Sequence, residues 1–464
     1  MASVIRDPNF TADVDVDCLI IGGGAAGLTA ALAADEQGLS VLIAEREERL
    51  SGSTALSSGL IPAAGTAAQK RQDIADSHAD FIADIMGKNK HSADLNHVER
   101  CVNGVTDAID WLEERHDIPF HVLDGFLYPG HRHHRMHAVP EMTGEALIQR
   151  LEDAALKTDI FISCHLKVTT LVLDDQGHVQ GAKAERPDGM LEAIGAKSII
   201  LACNGYGGNP ALVAEHIPEM KEALYFGHPG NQGEAVLWGQ GLGAELKHLS
   251  GYQGHGSVAH PHGILVTWAL MMEGGIQVNT DGQRFSNEHH GYSEQAVSVL
   301  AQPNQTAFNI FDKRLCELGR EFEDFRLAET SKAILRADTI DELADKIGVD
   351  SGVLAQTLAN CDAFAASGEA DTYGRRFDPN KTLKPPYAAV KVTGALFHTQ
   401  GGLVIDDKAR VCKPDGSIIN GLYACGGAAC GVSGPDVSGY LSGNGLLSAL
   451  SLGYIAGRAV ALGP

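Results

Sequence analysis

Three things are scarce in this sequence: paired cysteines, long apolar runs and positive charge. The nine cysteines are dispersed between Cys18 and Cys430, and none forms a C-x-x-C pair. That pattern excludes a disulfide framework and an iron–sulfur cluster and fits free thiols in a reducing compartment. No apolar stretch approaches the roughly 18 residues that would suggest a transmembrane helix. Lys and Arg number 36 against 59 Asp and Glu, a net charge of −23. Such an excess of negative charge argues against nucleic acid and anionic membranes as partners, although local charge can still oppose it at an anionic substrate. The first residues, MASVIRDPNFTADVD, lack the charged-then-apolar pattern of a secretory signal. The expectation is a cytoplasmic enzyme.

Glycine, in contrast, is abundant, with 54 residues in a chain of 464. The most informative are Gly22, Gly24 and Gly27, which form G-x-G-x-x-G directly after the apolar run Cys18–Ile21. An Ala-rich helical stretch follows, then a second strand, Ser40–Ala44, and an acid, Glu45. In this arrangement Gly22 permits a tight turn, Gly24 lets the backbone approach a pyrophosphate, and Gly27 lets helix and strand pack closely. The helix N-terminus offers free N–H groups to phosphates, and an acid about 20 residues on can hold a ribose hydroxyl. The element is a dinucleotide-binding unit. By itself it does not distinguish FAD from NAD.

The chain length suggests two domains. The small-residue block at 51–66 suits close backbone contact with a ligand. Helical spacing marks 70–118, and Thr143-Gly144 opens a helix to about Lys157. Strands are expected at Ile160–Cys164, Thr169–Asp174, Gln180–Arg186 and Ser198–Ala202, the last leading into a glycine turn. The character changes from about 210 to 387, where helices such as Thr339–Ile347 and Ser351–Ala366 are more polar. Strand and glycine return at Gly401–Ile405 and 421–427, and a last helix, Leu446–Leu462, closes the chain. The expected organisation is α/β: a Rossmann-like FAD-binding domain from 1–209 and 388–464, with an inserted α+β capping domain at 210–387.

The fingerprint continues into GSTALSSGLI at 52–61, TGEALIQRL at 143–151, IILACNGYGGN at 199–209 and GGIQVNTDGQRFSNE at 274–288. PYAAVKV at 386–392, HTQGGLVID at 398–406 and GLYACGG at 421–427 complete the set. Together these blocks resemble the flavoprotein family of fumarate reductase, succinate dehydrogenase and 3-ketosteroid dehydrogenase. The resemblance implies FAD, and Ser53 standing about where membrane-complex members carry a tethering histidine implies that it is held non-covalently. The residues implied to hold it are Gly22, Gly24, Ala25, Ala26, Gly27 and Glu45; Ser53, Thr54, Ser58 and Gly59; Ala202 and Gly205; and Gly426, Asn444, Leu446 and Leu447. No metal is implied. Electrons would leave to a separate acceptor, which could be oxygen, a quinone or a protein.

Two positions differ from the fumarate reductases. Where that family bears an arginine proton donor, four residues after the glutamate of Arg284-Phe285-Ser286-Asn287-Glu288, this chain has Tyr292. Where a second arginine clamps a carboxylate, just before the final glycine–asparagine turn, it has Tyr440. An arginine fork carries fixed positive charge and binds carboxylates bidentately, which a phenol cannot do. The ketosteroid dehydrogenases look similar here. By that resemblance Tyr292 is the candidate base, and Tyr440 with the Gly443 N–H are candidate anchors for a ketone oxygen. A tyrosine with a reference pKa of about 10 must be depressed to act near neutrality. His398 and His255 match fumarate reductase substrate histidines. Arg135, in the run His-Arg-His-His-Arg-Met-His at 131–137, is a further candidate for an anionic substrate. The expected reaction is α,β-desaturation of a small cyclic ketone or keto acid, such as 4-oxocyclohexanecarboxylate, with proton loss to tyrosine and hydride transfer to flavin N5. The alternative is an ene-reductase of an unsaturated carboxylic acid. A third is a flavin subunit that docks to a redox partner.

Overall fold

The computed structural model describes residues 2–460. The chain forms two compact units. One comprises Met1–Pro218, Gly227–Tyr252 and His398–Pro464, the other Glu219–Phe226 and Gln253–Phe397.

The first unit is built on a sheet that has nine strands among the described residues. Its parallel centre places Val14–Ile21 between Leu191–Leu201 and Val41–Ala44, with Phe161–Ser163 beyond Val41–Ala44. Strand Ile418–Ala424 returns from the C-terminal part of the chain to lie parallel to Leu191–Leu201. Parallel strands are covered on both faces, which explains the unbroken apolar run Cys18–Ile21. The helix Ala25–Asp35 packs over the sheet with Ala25 to Ala34 all buried. Small side chains let it approach the closing helix, Asn444–Ala459: a Cβ on Gly453 would lie 2.5 Å from the Ala26 carbonyl oxygen, and one on Gly457 2.3 Å from that of Ala30. The expected end of this helix at Leu462 lies outside the described residues.

The second unit carries a sheet that has seven strands among the described residues. Strand Tyr387–Thr399 pairs with Thr306–Asp312 on one stretch and with Ile334–Ala337 and Leu224–Tyr225 on others. Because this long strand is central to the sheet, the unit extends to Phe397, past residue 387 where the change in sequence character ended. Two of its helices start on conventional side-chain caps. The Thr339 side chain accepts from Glu342 N–H ahead of Ile340–Ile347, and that of Asp350 from Val353 N–H ahead of Ser351–Ser367. The architecture is α/β, a Rossmann-like sheet with an α+β unit inserted in chain order. Among the described residues no helix is long and apolar enough to cross a membrane.

A tight backbone contact in the first unit is at Gly27, where a Cβ would sit 2.0 Å from the Gly22 carbonyl oxygen. Gly27→Ala must push the first helix off its strand, and urea denaturation should register a loss of about 1–3 kcal/mol.

Candidate functional site

The glycine loop has the local geometry that phosphate binding needs. Gly22 adopts φ +110°, and a Cβ there would lie 2.6 Å from the Ala202 carbonyl oxygen, so both turn and packing demand glycine. Gly24 is the N-cap of the first helix, with no side chain capping it, and the nearest atom to a Cβ there is Thr54 Oγ1 at 3.9 Å. Gly24 thus leaves the backbone bare at the helix N-terminus, where an anion is favoured. Glu45 is buried and binds back to the loop, accepting from Gly23 N–H at 2.7 Å and from Glu47 N–H at 3.0 Å. The Ser53 hydroxyl accepts from Asn231 Nδ2 at 2.8 Å and Asn204 Nδ2 at 3.2 Å. Thr54 Oγ1 lies 3.4 Å from the Ala25 N–H. Ser58 is half-buried, and Gly59 packs on the Thr143–Gly144 backbone. A Cβ on Gly205 would lie 1.9 Å from Thr399 Oγ1, and one on Gly426 2.9 Å from the Ala26 Cβ.

A second group in the same unit surrounds the start of the closing helix. Tyr440 is buried and stands edge-on to His398, with ring centroids 5.6 Å apart. Gly443, at φ +87°, is the N-cap of the helix and again carries no side-chain cap. Asn444 is fully buried and Leu447 faces the core, while Leu446 is half-buried. A line of side-chain hydrogen bonds joins Asn444 to His398. Asn444 Nδ2 donates to Ser433 Oγ at 2.9 Å, Ser433 donates to Gln400 Oε1 at 2.6 Å, and Gln400 Nε2 donates to His398 Nδ1 at 2.9 Å. His398 Nδ1 also lies 3.3 Å from the Thr399 carbonyl oxygen. Burial pushes the pKa of this imidazole down to about 4, so it is neutral. Asn444 Oδ1 and Ser448 Oγ are buried with no partner from the chain. An uncapped helix N-terminus beside orphaned polar atoms fits the polar edge of a flavin ring, as the uncapped Gly24 terminus fits its pyrophosphate.

Tyr292 and His255 come together in the second unit. Tyr292 is the first residue of the helix Tyr292–Leu300, entered through Gly291 at φ +140°. Its buried ring stacks on His255 at 4.7 Å and 19°, and Trp268 stands edge-on to both. Phe397 covers the imidazole at 5.3 Å. His255 Nδ1 accepts from Ser257 N–H at 3.1 Å, so Nε2 carries the proton. Burial holds its pKa near about 3, again neutral. The helix entry is anchored by Glu288, fully buried, which accepts from Arg375 Nη1 at 2.8 Å, Arg284 Nη2 at 2.6 Å and Gln277 N–H at 2.9 Å. Burial pushes this carboxyl up, but the charges of Arg375 and Arg284 outweigh it and hold the pKa at about 2. Arg284 also pairs with Asp371.

Arg135 is placed differently from its expected role. Its guanidinium is fully buried, 2.9 Å from Asp76 and 3.1 Å from Asp84, and lies over the Phe81 ring at 4.4 Å. A desolvated cation needs paired carboxylates, and this one has them within the chain, so its charge is already matched. Arg132 is likewise bound to Asp84. Sequence reading missed Arg375, which stands in a stretch without helix or strand pattern, and the Gln400–Ser433 link. The alternation that puts residues i and i+2 of an extended chain on one side was an available signal for Gln400 beside His398.

Two expectations follow. Arg375→Met leaves Glu288 buried with one cation fewer and should destabilise the protein by about 3 kcal/mol in urea titration. The histidines also impose a pH dependence. His131, His137, His255 and His398 titrate from about 3 to about 4 when folded, against an ordinary 6.5. The unfolded chain thus binds more protons between those values. Stability should be level above about 6.5 and fall as pH drops from there toward 4. A urea midpoint that stays flat between pH 7 and pH 5 would contradict this.

The family model described as FAD binding domain matches residues 17–446. A probable fumarate reductase of Shewanella frigidimarina is 30% identical over 459 residues, covering 98% of this chain and 76% of that protein. A 4-oxocyclohexanecarboxylate 2-dehydrogenase of Sinomonas cyclohexanicum is 24% identical, covering 99% of this chain and 95% of its own. Among solved structures, a 3-ketosteroid Δ4-(5α)-dehydrogenase of Rhodococcus jostii RHA1 in complex with 4-androstene-3,17-dione superposes with a TM-score of 0.76 at 26% identity, over 98% of both chains. The chain therefore belongs to the FAD-binding domain family, with the fumarate reductases and cyclic-ketone dehydrogenases, and is an FAD-dependent oxidoreductase.

Proposed function

We propose that the enzyme desaturates a small cyclic ketone or keto acid, such as 4-oxocyclohexanecarboxylate, next to its carbonyl. The observation that carries this reading is the commitment of the nearby arginines. Arg284 and Arg375 are bound to Glu288, and Arg132 and Arg135 to Asp76 and Asp84. Tyrosines occupy the two positions where a dicarboxylate enzyme carries guanidinium groups. His255 and His398, both neutral, bring no positive charge, and His255 offers an Nε2–H donor. Uncharged donors suit a ketone better than a pair of carboxylates.

In this reading Tyr440 O–H and Gly443 N–H donate to the ketone oxygen. They stabilise the enolate that develops when the α-carbon loses its proton. Tyr292, as phenolate, accepts that proton. The β-carbon releases hydrogen with its electron pair, and the C=C bond forms between the two carbons. Bound FAD supplies the two-electron acceptor for that hydrogen. His255 or His398 would meet a carboxylate on the far side of the ring. A separate acceptor, whether oxygen, quinone or protein, restores the oxidised enzyme. The similarity to a 4-oxocyclohexanecarboxylate dehydrogenase supports the substrate class.

A second reading, an ene-reductase of an unsaturated acid, is favoured by the 30% identity to a probable fumarate reductase and by the retained histidines. Anaerobic mixing with a panel of cyclic ketones and keto acids distinguishes the two. Bleaching of the flavin absorbance by a ketone is the expected result. No bleaching, with reoxidation of reduced enzyme by unsaturated acids, would establish the second reading instead. Tyr292→Phe should retain FAD and slow bleaching by about 10²–10⁴-fold; undiminished turnover would remove Tyr292 as the base.

A further inference from the structure

The histidine run at 131–137 has so far been given no task beyond its arginines. We infer that His131 is a positioning residue: its Nε2–H holds the Ser442 carbonyl and so sets the direction of the Gly443 N–H. This rests on the ketone reading above for what the N–H does, but the brace itself stands on geometry. His131 is buried and lies 3.0 Å through Nε2 from the Ser442 carbonyl oxygen. A carbonyl only accepts, so the imidazole proton must be on Nε2, which leaves Nδ1 as an acceptor. That Nδ1 is buried and has no partner in the chain.

The consequence passes through one peptide plane. Ser442 C=O and Gly443 N–H belong to the same planar unit, and in a trans peptide they point in opposite directions. Fixing the carbonyl therefore aims the N–H away from His131. Gly443 lacks the Cβ that would restrict its φ of +87°, so the turn by itself is poorly restrained and an external grip has an effect. A second contact lies beside the first: a Cβ on Gly130 would fall 2.7 Å from Leu441 Cδ1, so the loop meets the turn over two consecutive residues of each.

The brace is itself anchored. The Arg132 N–H donates to Asp84 at 3.1 Å and its Nε at 2.5 Å, while Arg135 bridges Asp84 and Asp76. Phe81 packs against both His131 and Arg135. The nearby Arg135 charge also opposes a second proton on the ring, which keeps the imidazole a one-proton donor. The buried arginine that does not meet substrate thus fixes the residue that orients the turn.

The test compares His131→Leu with His131→Gln, whose Nε2 can replace the lost donor. In the leucine variant, hydrogen exchange of the 440–444 segment should quicken and KM for the ketone should rise, each by about tenfold, the worth of one hydrogen bond. FAD content should be unchanged, and glutamine should restore both readings to within about threefold. Unchanged exchange at 440–444 in His131→Leu, or glutamine behaving like leucine, would overturn the inference. Should His131→Leu not fold, nitrogen-15 spectra of histidine-labelled wild-type holoenzyme decide it: protonated Nε2 with bare Nδ1 at neutral pH is expected, and protonated Nδ1 refutes the brace. Exchange and spectra need no substrate. A wild-type enzyme that no ketone bleaches would sink the ketone reading and leave these two results standing.

Discussion

A cation taken out of water must find a carboxylate, and that requirement is met inside each of the two units. Glu288 lies fully buried between Arg284 and Arg375, and Asp76 and Asp84 enclose Arg135. Each cluster sits beside Tyr292 or the loop that reaches the turn after Tyr440. Glu288 fixes the entry to the helix that starts with Tyr292, and the Asp84 cluster fixes the loop that carries His131 to the 440–444 turn. The charges in each cluster are matched within the chain.

Neutrality then extends to the histidines. Burial depresses the pKa of His255 and His398 far below the usual imidazole range, and the Ser257 N–H bond to Nδ1 leaves the His255 proton on Nε2. A neutral imidazole with a fixed tautomer is a directional donor, whereas an imidazolium would add charge that favours dicarboxylates. Tyrosine, histidine and backbone N–H groups form one chemical vocabulary of single hydrogen bonds. The Gln400–Ser433–Asn444 line shows how such a vocabulary is kept oriented: each side chain in it has its donor and acceptor assigned by the next.

Much of the fold was legible because its signals are local. Gly22, Gly24 and Gly27 act within a few residues of one another, and the buried run Cys18–Ile21 reports a parallel strand directly. The helices expected at Thr339–Ile347 and Ser351–Ala366 are found at Ile340–Ile347 and Ser351–Ser367. Arg375 was not legible. It reaches Glu288 across 87 residues of sequence, from a stretch with no helical or strand period. The ion pairs of Arg135 were not legible for the same reason, since nothing in His-Arg-His-His-Arg-Met-His shows that Asp76 and Asp84 will enclose it.

The sequence alone therefore determined the Rossmann-like unit, the cofactor class and the presence of tyrosine at positions 292 and 440. These depend on spacing along the chain and on residue identity, which folding does not alter. Only the tertiary structure decided which charges are available. An arginine is a substrate clamp or a buried strut according to what encloses it, and the aspartates, glutamates and carbonyls that do so here are brought together by packing between segments far apart in the chain. The same holds for His131, a surface-loop residue by composition, which becomes the support of the 440–444 turn because the Ser442 carbonyl, 311 residues on, lies against its Nε2.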